Sequence, residues 1–204
     1  MATTIDDRVR TRHVAKTTPY AWPWDGVLDA ARTAVLAVEA PGDPGTLDAD
    51  SVRNARVVVA SMQRAGGVAI RVVTRRASSA RPADGSASVF ASAGPGAVPT
   101  DLTVTARGVD GFYGSPLESV LRENMIERLL LVGAWLETSV HSTMRTANDM
   151  GFECLLVVDA CAAGDADLIA NSVSMIEMSG GIFGAVGMTA HVVETYAPEE
   201  GERA

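Results

Sequence analysis

Short, nearly continuous apolar runs recur along this chain with helical patterns between them, and that alternation constrains the fold more than any other feature. RTAVLAVE (32–39), GVAIRVVT (67–74), LTVTA (102–106), RLLLVG (128–133) and ECLLVVDA (153–160) read as buried strands, with IFGAVG (182–187) as a weaker sixth. Strands covered by helices on both faces lose the polar–apolar alternation of a half-exposed sheet, as these have. The spacing predicts helices over 50–65 capped by Asp50 or Ser51, 116–124 after Ser115, 138–150 stopped by Gly151, and 165–179 stopped by Gly180 and Gly181. Repeated strand–helix units of this kind give an α/β fold, here a three-layer, doubly wound, mostly parallel six-stranded sheet.

With 204 residues, 47% of them hydrophobic, the chain can bury one sizeable core. The α/β domain is expected over 32–196, preceded by an N-terminal arm (1–31) and followed by a short tail (197–204). A loop rich in Ala, Ser, Gly and Pro, 75–99, interrupts the pattern. The net charge of −8 argues against nucleic acid, whose binding depends on clustered Lys and Arg. No apolar run approaches the roughly 18 residues of a membrane span, and the N-terminal stretch carries charges where a signal peptide needs an apolar block. A cytoplasmic protein without membrane partners is therefore expected. Cys154 and Cys161 lack the spacing of a redox pair or zinc knuckle, and His13 and His191 lack that of metal ligands, so neither metal nor cofactor is expected.

In open parallel sheets the chemistry gathers where strands end. Strand one ends in Glu39, strand three in Ala106-Arg107-Gly108, and strand four runs through GAWLETS to Ser139. His141 lies two positions from Ser139, so on a helix the two side chains point apart.

These segments carry a resemblance. ARTAVLAVEAPGD is similar to the first-strand motif A-L-L-V-I-D-M-Q of the isochorismatase-like superfamily, GFYGSPL to its A-F-Y-G-T-x-L, and GGIFG to the G-G-I-F-G of its biuret and ureidoacrylate amidohydrolase branch. GAWLETSVHSTMRTANDMGFECL resembles the segment that bears that branch's nucleophilic cysteine. The resemblance covers nearly the whole chain and implies a Rossmann-like α/β fold. It also implies an Asp-Lys-Cys site for hydrolysing small amides, with the three positions falling on Glu39, Ala106 and Ser139.

All three residues differ from that pattern, and Pro41 stands where the family has Gln. A serine hydroxyl is far less acidic than a thiol and needs a strong base, while the extra methylene of Glu39 moves its carboxylate by about 1.5 Å. Lys16, in the arm, is the single lysine of the chain, and Arg107 stands one residue off register to replace the missing one. Ser139 then reads either as a residual nucleophile or as a helix cap.

The expectation is a pseudoenzyme whose pocket is bordered by Arg107, Phe112, Trp135 and Leu136. Its role would be that of a structural or regulatory subunit, self-associating or paired with an active paralogue, and Trp22 and Trp24 would anchor the arm on a neighbouring subunit. The alternatives are a hydrolase of small amide or ureido compounds or of a vinyl ether such as isochorismate, using Glu39 and Ser139, and a protein that binds a small molecule without turnover.

Overall fold

The structure is a computed structural model that describes residues 12–40, 47–75 and 100–197. Its elements, in chain order, begin with a 3-10 turn at Ala30–Arg32, β1 (Thr33–Glu39), α1 (Ala49–Arg64), β2 (Val68–Val73), β3 (Leu102–Thr105), α2 (Leu117–Glu123) and β4 (Arg128–Ala134). A π-helical turn (Leu136–Val140) then runs directly into α3 (His141–Asp149), followed by β5 (Glu153–Ala162), α4 (Leu168–Glu177), β6 (Ala185–Gly187) and α5 (Thr189–Thr195). The six strands form one sheet in the order β3-β2-β1-β4-β5-β6, and every pair of neighbours is parallel. The expected doubly wound α/β fold is therefore what the chain adopts.

Strand alternation divides the core cleanly in two. Val35, Ala37, Ala69, Leu130, Val132, Leu155 and Val157 pack on one face with α1, α5 and the N-terminal segment; Leu36, Val38, Ile70, Val72, Leu129, Leu131 and Leu156 pack on the other with α2, α3 and α4. This double covering explains the unbroken apolar runs. The sequence order reverses between β1 and β4, which makes the crevice above their carboxyl ends the switch point.

Three local expectations need correction. The cap of α1 is Asp48, whose carboxylate accepts from the backbone N–H groups of Asp50 and Ser51, so neither of those two is the cap. Ser139 does not cap a helix either, because the π-helical turn begins at Leu136 and places Ser139 within it. Trp22 does not reach toward a neighbouring subunit. It is fully buried in this chain's own core beside Val14, and the segment pairs antiparallel with β6 through Thr18 and Val186. Pro41 and the loop 76–99 lie outside the described residues.

Candidate functional site at the carboxyl edge of the sheet

Glu39 is the last residue of β1, Ala106 follows the end of β3, and Ser139 sits in the turn that leaves β4. That turn is held close to β1 by Gly133. Its backbone adopts φ 121°, and a Cβ there would lie 2.0 Å from the carbonyl oxygen of Val38, so no other residue fits. The next peptide, Ala134–Trp135, is cis. The amide of Val140 then donates to the Trp135 carbonyl at 3.1 Å, which closes the wide turn and buries Ser139 to 1% exposure.

The hydroxyl of Ser139 lies 3.0 Å from that of Thr74, which itself donates to the backbone carbonyl of Glu39 at 2.9 Å. Thr74 has a single hydroxyl proton to share between the Glu39 carbonyl and the Ser139 hydroxyl. The same carbonyl takes the Thr74 amide at 2.7 Å. Behind the turn, Thr143 Oγ1 donates to Ser139 O at 2.7 Å and accepts from Gly111 N at 2.9 Å, tying the loop after β3 to α3.

The Glu39 carboxylate is engaged elsewhere. Arg71, on β2, clamps it with two parallel bonds, Nε to Oε1 and a terminal nitrogen to Oε2, both 2.6 Å. The register explains the meeting: Glu39 pairs with Val73, so Arg71 stands two positions earlier on the same face of the neighbouring strand. The carboxylate is only 2% exposed and the Arg71 side chain 15%, a largely desolvated pair. Among the described hydrogen bonds, none joins that carboxylate to Ser139.

The other residues singled out in the sequence fall into two groups. Ala106 is buried, with its amide on the Val73 carbonyl at 2.8 Å, while Arg107 is exposed and its methylene stem packs against Gly114. Phe112 and Leu136 belong to the core on the α2–α3–α4 face, and Trp135 is half-buried against the opposite core cluster. The structure adds Arg71 and Thr74, which the sequence reading passed over. Arg71 carries a signal, a charged residue in the middle of the apolar run VAIRVV. The role of Thr74 depends on a hydroxyl pair that no local pattern reveals.

Fold and site together define a doubly wound α/β protein whose polar cluster occupies the switch point of a parallel sheet. The isochorismatase domain matches residues 31–191, and the chain belongs to that family. It is 36% identical over 81 residues to the uncharacterized isochorismatase family protein YecD of Escherichia coli O157:H7; the aligned part covers 40% of this chain and 43% of that relative. Among solved structures, a cysteine hydrolase from Pseudomonas syringae pv. phaseolicola superposes with a TM-score of 0.70 at 20% identity, covering 83% of this chain and 94% of the other. The N-carbamoylsarcosine amidase of Thermoplasma acidophilum superposes with a TM-score of 0.61 at 19% identity, over 78% and 96% of the two chains. At these identities the superpositions speak to fold alone.

Proposed function

We propose that this chain is a non-catalytic member of the isochorismatase family, a structural or regulatory subunit that associates with itself or with an active paralogue. One observation carries the reading: the side chain hydrogen-bonded to Ser139 is the hydroxyl of Thr74, which is no base, while the Glu39 carboxylate is clamped by Arg71. A serine becomes a nucleophile when its proton has a base to go to. Here Ser139 Oγ meets a threonine hydroxyl 3.0 Å away, and the carboxylate in the position of the family's aspartate is paired through both oxygens with Arg71. That clamp also leaves Glu39 poorly placed to hand a proton to a vinyl ether.

The test is turnover by the purified protein of biuret, ureidoacrylate, nicotinamide and isochorismate, each measured against Ser139→Ala. The expected result is no difference between the two. Hydrolysis that disappears with Ser139→Ala overturns the proposal in favour of a serine-dependent amidohydrolase. Turnover that survives Ser139→Ala but disappears with Glu39→Gln replaces it with acid catalysis.

A further inference from the structure

Helix α4 is apolar on two sides. On its inner side Ile169, Val173 and Ile176 pack into the core shared with α2 and α3, and Ser172 is buried too. On its outer side runs a second stripe, Leu168, Asn171, Met175 and Met178, continued by Ile182 in the turn that follows. These residues are spaced three and four apart in alternation, the spacing of a helix–helix seam. Leu168 and Met175 are exposed, and Met178 and Ile182 present 79% and 72% of their surface. No charged residue occurs from 168 to 176, in a chain whose net charge is −8. A surface helix ordinarily turns its charges to solvent, and one that is apolar all round is covered all round.

The charges flanking the seam indicate what covers it. At its start Asp165 and Asp167 are exposed, and among the described residues neither has an ion-pair partner. At its far end Arg145 lays its guanidinium 4.0 Å from the ring centroid of Phe183, the residue after Ile182, and donates through Nε to His141. No carboxylate among the described residues pairs with that guanidinium. Glu177, the acid within the last turn, faces the N-terminal segment, where it accepts from Thr18 Oγ1 at 2.6 Å. A second copy laid antiparallel about a two-fold axis between Asn171 and Met175 sets Met178 on the partner's Leu168 and Met175 on the partner's Asn171. The same operation carries the partner's Asp165 and Asp167 to the Arg145 end, and does so twice. It also opposes the two helix dipoles, whereas a parallel pairing would stack acid on acid at one end.

We propose that the outer face of α4 binds a second copy of this chain, the two helices antiparallel along Leu168, Met175 and Met178, with Arg145 of each copy against Asp165 and Asp167 of the other. This rests on the self-associating form of the non-catalytic reading and names its interface. Sedimentation velocity of the full chain from about 1 to about 100 μM should show a concentration-dependent dimer. Met178→Asp places a charge in the seam and should raise the dissociation constant by about tenfold or more. Met178 is mostly exposed, so the variant should fold, and circular dichroism checks this. Arg145→Asp and Asp167→Arg should each weaken self-association by about tenfold, because each sets like charges face to face at both ends of the seam. An equimolar mixture of these two variants should dimerise again, since the mixed pair restores opposite charges at both ends, a rescue that a merely structural role for either residue would not give. A chain that stays monomeric throughout, association that survives Met178→Asp, or no rescue on mixing overturns the proposal. A monomer would assign the face to a different partner and leave the non-catalytic reading standing, because that reading is judged by turnover. Turnover that depends on Ser139 would overturn that reading while the mass measurements stood.

Discussion

Arg71 changes what Glu39 is. A buried carboxylate without a partner would be unstable, and the clamp from the neighbouring strand makes the residue half of an ion pair. Arg71→Ala should therefore destabilise the protein by about 3 kcal/mol through the carboxylate left behind. At this chain length that lowers Tm by on the order of 10 °C. Adding Glu39→Gln to Arg71→Ala should restore part of the loss, because the second change removes the stranded charge; thermal unfolding of the four proteins in a double-mutant cycle measures it. The same geometry bears on rebuilding the family's site. The triple change Glu39→Asp, Ala106→Lys and Ser139→Cys supplies the missing groups, yet the guanidinium still occupies the carboxylate that the new thiol and lysine require. Amidase assays should find the triple variant nearly inert and each single change wholly so, since such residues act as a unit. Brisk hydrolysis by Ala106→Lys alone would contradict both the clamp's importance and the non-catalytic reading.

Within the elements, the central strands were the most legible part of the sequence because double covering demands apolar side chains, and β1 and β4, buried at every position, supply them almost without a break; β3, at the sheet edge, buries only Val104. At the margins the signal weakened for physical reasons. Only Ala185–Gly187 of the sixth run pairs with a neighbour, since Gly184 and the residues before it turn across the end of α3, and α5 has too few residues for its apolar spacing to stand out. The start of α3 was misplaced because a small polar residue before a helical pattern looks like a cap, whereas a wide turn closed on the Trp135 carbonyl leaves no local trace. One consequence of that helix is measurable. His141 accepts from Arg145 Nε at 3.3 Å, and burial, reinforced by the Arg145 charge, lowers its pKa below the usual 6.5. The unfolded chain then binds a proton that the folded chain refuses. Stability contributed by neutral His141 is present above pH 6.5 and is lost as pH falls below it toward the depressed folded value. Urea unfolding from pH 7.5 down to 5.5 should show that loss, and His141→Gln should flatten it. Arg145→Gln should raise the histidine pKa only in part, as burial is the larger cause.

For the molecule as a whole, the question is whether the N-terminal segment belongs to the fold or waits for a partner. Its two tryptophans answer differently despite standing one proline apart. Trp22 lies wholly inside the core with Val14 and Tyr196, while Trp24 meets the Tyr20 ring edge to face and is 74% exposed. Around them the chain is stitched down at several points. The Val14 amide donates to the Trp22 carbonyl at 2.8 Å, Thr18 exchanges backbone bonds with Val186, and Asp25 pairs with the nearly buried Arg128 at the start of β4. The Thr18 and Asp25 contacts are long-range in sequence, which is why a segment of turns and prolines reads as a detached arm until its partners are known. Trp22→Ala should then cost about 3–5 kcal/mol, as for other fully buried aromatics, and lower Tm by on the order of 10 °C. Trp24→Ala should stay within about 0.5 kcal/mol, the range of exposed positions. Chemical unfolding of both variants, with the m-value held constant to confirm a comparable transition, separates the two cases. A small effect at Trp22 would mean that the segment is only loosely docked. A large effect at Trp22 with none at Trp24 makes the segment an integral layer of the fold, one that buries one indole for stability and leaves the other at the surface.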